Sequence, residues 1–406
     1  MASRPPPGEP VPSDGALPES SYAEVGRSPF GVYVHVPFCA TRCGYCDFNT
    51  YTAAELGGGG DAASYADLAC REVRLARTVL GPTDLPVHTV FFGGGTPTLL
   101  PPRDLATVLD AIRQEFTLAA SAEVTTEANP DSVDEAALGE LRQAGFTRIS
   151  FGMQSAVPHV LATLDRTHDP ERVPLVAGCA RRAGFDGVSL DLIYGTPGES
   201  LADWRTSLEA AIAIGPDHVS AYALVVEEGT RLAASVRRGD IAAPDDDDLA
   251  DKYLLADELL RSAGYDWYEV SNWARGSEQR CSHNLGYWRG WDWWGIGPGA
   301  HGHVGGTRWW NVRHPAAYAG RVAAGTSPAQ AREVLTDEQR RVERVLLGIR
   351  VADGVPLDEL RPAGLAAAAD AVATGLLDPG AHADGRAALT LRGRLLADAV
   401  VRDLVD

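Results

Sequence analysis

An α/β fold, a partial (βα) barrel of six units followed by a small helical, winged-helix-like module, is what this sequence predicts, and three observations predict it. Short β-branched or aromatic runs recur at Gly31–Val36, Val87–Phe92, Ala122–Glu127, Thr147–Phe151, Val188–Ile193 and His218–Leu224. Each is followed by an Ala/Leu/Arg-rich stretch with apolar residues at helical spacing, such as Tyr65–Leu80, Leu105–Phe116 and Trp204–Ile214. Glycine punctuates the alternation: Ala144-Gly145-Phe146 and Ala183-Gly184-Phe185 read as helix, left-handed cap, next strand. Strand–helix repetition with nearly continuous apolar strands means a parallel sheet covered on both faces, and such barrels carry their chemistry at the C-terminal strand ends.

The remaining segments follow in order. Residues 1–28, rich in Pro, Ser, Gly and Glu, read as a disordered tail without the apolar stretch of a secretory signal. The barrel spans 29–265. From 266 to 335 the alternation is lost in a Trp-, Tyr-, Gly- and His-rich stretch, and 336–406 reads as the small C-terminal module. The 406 residues carry 36 basic against 55 acidic side chains, a formal charge of -19, which argues against nucleic acid as a partner because no basic stripe is left to displace phosphate counterions. No apolar run approaches the roughly 18 residues of a membrane span, and a cytoplasmic location is expected.

Three of the six cysteines fall in Cys39-x3-Cys43-x2-Cys46, directly after the first strand. In a long, cysteine-poor chain this is a metal or redox site rather than a disulfide frame. Three thiolates on a short loop suit three irons of a 4Fe–4S cube with the fourth iron open; the alternative is zinc held by the same cysteines and His35, although no second C-x2-C knuckle exists. Cys281 is a weaker candidate ligand, and His301 and His303 fall in a Gly-rich turn where a structural role is at least as good a reading. Cys70 and Cys179 read as small hydrophobes.

The cysteine spacing with Tyr45 before the last thiol resembles the radical S-adenosylmethionine superfamily. VYVHVPFC, FFGGGTPT, TTEANP, SFGMQS, LDR, DLIYGTPGE, YEVSNWAR, HNLGYW and GIGPGAHG occur in that order, and together they resemble the branch containing anaerobic coproporphyrinogen III oxidase and its relatives. The resemblance implies a 4Fe–4S cluster on Cys39, Cys43 and Cys46 with S-adenosylmethionine on its open iron. It further implies cosubstrate contacts from Tyr33, Tyr45, Gly95, Thr96, Pro97, Glu127, Gln154, Arg166 and Asp191. Two departures matter. The oxidase pattern has a fourth cysteine where this chain has Phe48, and His283-Asn284-Leu285-Gly286-Tyr287-Trp288 resembles the HNxxYW motif of HemW-type heme chaperones. That implies heme as a bound cofactor, with His283, Asn284, Tyr287 and Trp288 beside it, heme-accepting apoproteins as partners and an electron donor of the flavodoxin or ferredoxin kind. The bland alternative is that His283 and Asn284 stabilise a loop over an aromatic core; the enzymatic alternative is oxidative decarboxylation of coproporphyrinogen III.

Overall fold

A computed structural model describes residues 8–57 and 62–405. The six strands and the five long helices between them form where the periodicity places them: β1 Phe30–Val36, α1 Ala62–Leu80, β2 Val87–Gly94, α2 Pro102–Glu115, β3 Leu118–Ala128, α3 Glu135–Ala144, β4 Arg148–Gln154, α4 Arg172–Ala183, β5 Gly187–Tyr194, α5 Leu201–Ile214 and β6 His218–Ala223, after which the helix Asp246–Ser262 completes the sixth unit. Strands β1 to β6 pair in parallel in sequence order. The predicted caps are present, with Gly145 at φ 99° and Gly184 at φ 87°, the left-handed region that glycine enters without a Cβ clash. At α5, Ser200 and Asp203 form a reciprocal capping box that starts the helix sharply after the fifth strand. Phe92, Phe146, Phe151, Leu190 and Trp204 are buried in the layer between sheet and helices.

The aromatic segment does not stand apart from the barrel; it lengthens the sheet at both edges. Strand β8 Asn272–Ala274 adds antiparallel to β6, and β7 Asp266–Glu269 pairs antiparallel with β8 at the sheet edge. Helix α6, Ser282–Trp288, follows, and then β9 Asp292–Ile296 lies parallel to β1. β10 His301–Val304, β11 Thr307–Asn311 and β12 Ala329–Val334 continue antiparallel, so that His301 and His303 sit on a strand rather than in a turn. The described residues thus contain a twelve-stranded sheet ordered β12-β11-β10-β9-β1-β2-β3-β4-β5-β6-β8-β7.

The expectation of a disordered tail is corrected for residues 8–28; residues 1–7 lie outside the described residues. Glu9 and Arg332 exchange two backbone hydrogen bonds of 2.8 and 2.9 Å, Leu17 is buried, and the Ser21 hydroxyl is 2.7 Å from that of Thr307. Local composition hid this order because it comes from main-chain pairing with β12, an edge that would otherwise present unpaired N–H and C=O groups. At the other end, helices Asp337–Gly348, Pro362–Ala373 and Ala397–Val405 pack with a short antiparallel ladder (Val355 with Ala387) around a core of their own that includes Val345, Ile349, Leu377 and Val401. Among the described residues no helix is long and apolar enough to cross a membrane.

Candidate functional site

A cavity of roughly 690 Å³ opens at the C-terminal ends of the parallel strands. Cys39, Cys43 and Cys46 line it with Tyr33, Tyr45, Gly95, Thr96 and Glu127, and Gln154, Arg166 and Asp191 complete that wall. His283, Asn284 and Tyr287 border the same space, although more than 200 residues separate them from the cysteines. Two residues singled out from the sequence do not. Pro97 is buried in a turn after β2, and Trp288 packs with Tyr268, Leu285 and Val351.

The cysteine loop is seated on the glycine run. Gly95 N–H donates to the Val36 carbonyl at 2.8 Å and Thr96 N–H to that of Phe38 at 2.8 Å. A Cβ on Gly95 would lie 2.5 Å from the Phe38 carbonyl oxygen, so this glycine is required for the end of β2 to meet the chain entering Cys39. Gly44 N–H donates to Leu164 O, and Leu232 N–H to Gly44 O, which ties down the far side of the loop.

All three thiols are free and partly buried. Burial pushes Cys39 up to about 11 and moves Cys46 in the same direction. The Arg166 guanidinium is 3.8 Å from the Cys43 sulfur. Soft donors in a water-poor pocket suit a metal group that supplies the charge needed to deprotonate them. Among the described residues no three Cys, His, Asp or Glu side chains are gathered around one ion, whereas a cube gives each thiolate its own iron and needs no such convergence. His35 does not complete a zinc site. Its Nε2–H donates to Asn49 O at 2.9 Å, and its Nδ1 therefore accepts from the Tyr33 hydroxyl at 2.9 Å. Burial lowers this imidazole to about 4, which keeps it neutral.

The opposing wall is acidic. Glu127 accepts from Gly94 N–H at 3.1 Å, and Asp191 accepts from the Ser150 hydroxyl at 2.8 Å. Burial, and then the nearby Asp191 charge, raise Glu127 to about 8; burial also raises Asp191. Gln154 sits at φ 61°, a left-handed backbone uncommon for a side-chain-bearing residue. Arg166 donates to Gly152 O at 2.9 Å and to His168 Nδ1 at 3.1 Å, crossing β4 where a Cβ on Gly152 would lie 2.7 Å from the guanidinium. Two carboxylates on β3 and β5, an amide at the end of β4 and a guanidinium from the connection that follows β4 suit a ligand that bears a cation, a carboxylate and hydroxyls together.

The floor is built by residues 268–287. Glu123 on β3 accepts from the N–H groups of Ser282 (3.0 Å) and His283 (3.1 Å) and so caps α6. Arg148 donates to Gln279 O at 2.9 Å, and the Tyr268 hydroxyl joins His218 Nε2 (2.8 Å) to Cys281 N–H (3.2 Å). His283 is buried, with Nδ1 2.8 Å from the Thr89 hydroxyl, Nε2 2.9 Å from the Tyr287 hydroxyl and its ring stacked on Phe91 at 5.1 Å. Desolvation lowers it to about 3. Both its nitrogens are engaged, so ligation of an iron would require one of these bonds to break. Sequence reasoning missed Thr89, Glu123, Arg148 and His218. The available signal was their place inside otherwise apolar strands, where a polar side chain needs a buried partner.

Residues 33–211 match the model of the radical SAM superfamily. Over 384 residues, 94% of this chain and 96% of the relative, the sequence is 56% identical to the heme chaperone HemW of Mycobacterium tuberculosis. The chain belongs to the HemW family. The HemW of Synechocystis sp. is 34% identical over 337 residues, covering 82% of this chain and 80% of that protein. Among solved structures, coproporphyrinogen III oxidase (HemN) from Escherichia coli, described as a radical SAM enzyme, matches with a TM-score of 0.80 over 97% of this chain and 94% of that one. At 22% identity that likeness shows a shared fold.

Proposed function

We propose that this protein is a heme chaperone: it binds heme, carries a 4Fe–4S cluster together with S-adenosylmethionine, and delivers heme to heme-accepting apoproteins such as respiratory enzymes. The observation that carries the reading is the 56% identity to a heme chaperone along nearly the whole of both chains. Supporting it, the cluster cysteines and His283, Asn284 and Tyr287 of the HNxxYW motif border one cavity.

Cys39, Cys43 and Cys46 would hold the cluster. When bound, it supplies an open iron for the amino and carboxylate groups of the cosubstrate and an electron for reductive cleavage of its sulfonium. Gly95 and Thr96 hold the cysteine loop against the cosubstrate cavity. Glu127 and Asp191 face its cationic and hydroxyl groups, while Arg166 and Gln154 face its anionic and polar ones; Tyr33 and Tyr45 close the sides. His283, Asn284 and Tyr287 form the floor and exclude water from below, and Pro97 and Trp288 act through packing. A flavodoxin- or ferredoxin-like protein is the expected electron donor, and the cytoplasm the expected compartment.

Coproporphyrinogen III oxidation is the second reading, carried by the shared fold. Against it stands Phe48, which occupies the position of the oxidase's fourth cysteine. Anaerobically reconstituted protein should take up heme stoichiometrically and leave coproporphyrinogen III unchanged under reducing conditions. Decarboxylation without heme uptake would overturn the chaperone reading in favour of the oxidase.

A further inference from the structure

Four large apolar side chains that line the cavity are also exposed: Phe48 at 61%, Val225 at 57%, Tyr222 at 42% and Leu99 at 41%. They come from three separate places, the cysteine loop, the turn after β2 and the end of β6 with the chain beyond it. Two sides of one opening therefore present apolar surface to solvent. Contiguous exposed apolar surface in a soluble protein marks a site that is covered when the protein works.

The observations favour one occupant. A cavity of roughly 690 Å³ is the size of a site for one drug-sized ligand, and the cluster and cosubstrate proposed above would take it up. The floor offers no opening, because His283 is buried and bonded through both nitrogens. A heme is flat, apolar over both faces and anionic at one edge. The rim supplies the complement to that edge as well. Arg42 and Arg231 lie side by side on the cysteine-loop side, the Arg231 guanidinium donating to Arg42 O at 2.6 Å. Arg231 is exposed and Arg42 half-buried, its guanidinium also donating to the Thr50 carbonyl. Their ion pairs with Glu55 (3.5 Å) and Asp165 (3.2 Å) are of the surface kind that exchanges readily.

We propose that heme lies across the mouth of the cavity, its macrocycle against Phe48, Leu99 and Val225 and its propionates toward Arg42 and Arg231, without ligation by His283. This rests on the heme-chaperone reading. It also gives Phe48 a use: where the oxidase pattern has a cysteine, this chain puts an aromatic face.

The test is a heme titration, followed by absorbance, of full-length protein with its cluster reconstituted. Phe48→Ser and Val225→Ser change exposed side chains and leave the core intact. Each should weaken heme binding roughly tenfold, and the double variant about a hundredfold, from the apolar area withdrawn. Leu175→Ser, on α4 and 63% exposed but outside the cavity, should bind as wild type does. His283→Phe should keep the wild-type heme spectrum. Wild-type affinity in the double variant would overturn the placement while the chaperone reading stood, and so would loss of the heme spectrum in His283→Phe protein with unchanged iron, sulfide and melting temperature. No heme uptake by the wild type would be a different failure, that of the chaperone reading, and would take the placement with it.

Discussion

Replacing Glu127 by Gln tests the acidic wall most directly. This carboxyl accepts one backbone hydrogen bond, from Gly94, in a pocket where burial and Asp191 hold it at about 8 instead of its ordinary 4.5. At pH 7 it is then mostly protonated, and a ligand presenting a cation must first displace the proton. One unit between pH and pKa is about 1.4 kcal/mol, or roughly tenfold in affinity. S-adenosylmethionine should therefore bind the cluster-loaded protein about tenfold tighter at pH 8.5–9 than at pH 7, releasing a proton at the lower pH. Glu127→Gln should flatten that dependence and weaken binding at the higher pH by roughly 10- to 150-fold, the loss of one charge-assisted hydrogen bond at about 1.5–3 kcal/mol. Stability should move the other way. An acid whose folded-state value is raised stabilises the fold when protonated, so its contribution declines as pH rises from about 4.5 through about 8. The amide cannot ionise, so the variant should melt above wild type at pH 8.5 and near it at pH 5. Anaerobic calorimetric titration in two buffers of different ionisation enthalpy measures both affinity and proton release. A wild-type affinity independent of pH, or the same slope in the variant, would refute the reasoning.

Replacing Cys39, Cys43 and Cys46 together by Ala should lower iron from about four per chain to background after anaerobic reconstitution, as read by iron and sulfide analysis; retained iron would remove the loop from the cluster site. Glu123→Ala leaves the Ser282 and His283 N–H groups without their acceptor and should cost about 2 kcal/mol in denaturant unfolding, whereas a loss below about 0.5 kcal/mol would mean the α6 cap contributes little. Glu72, fully buried on α1, accepts from Gly297 N–H (2.7 Å), Asn311 Nδ2 (2.7 Å) and the Tyr318 hydroxyl (2.6 Å). Glu72→Ala strands three donors and should cost about 3 kcal/mol or more, with Glu72→Gln recovering part of it; equal stability of the two variants would rule out a hydrogen-bonding origin.

The site was partly legible because its residues lie at the ends of predictable strands. Glu127 and Asp191 lie in the C-terminal halves of β3 and β5, where a parallel barrel points side chains toward a common opening, and the resemblance to the radical S-adenosylmethionine branch singled them out. Gly95 borders the cavity, and what a Cβ there would meet is the Phe38 carbonyl oxygen of the chain entering the cysteine loop. Trp288 shows the limit of motif reading. Tyr287 lines the cavity and Trp288 does not, because adjacent residues on a helix point about 100° apart.

The six strand–helix units, their glycine caps and the cysteine spacing were written in contiguous residues, since periodicity, capping and loop-borne ligation each depend on neighbours a few positions apart. Pairing across the chain was not. Phe30 meets Asp292 and Glu9 meets Arg332, so the fate of the aromatic segment and of residues 8–28 depended on which sheet edges were left unpaired once the barrel had formed. The same holds inside the cavity. Thr89, Glu123, Arg148 and His218 are isolated polar residues along the chain, and only the inward face of the closed-up strands makes them the seat of α6 and of His283. A buried polar group must find its partner wherever the fold brings one, and for these residues that partner lies 29 to 194 residues away in sequence.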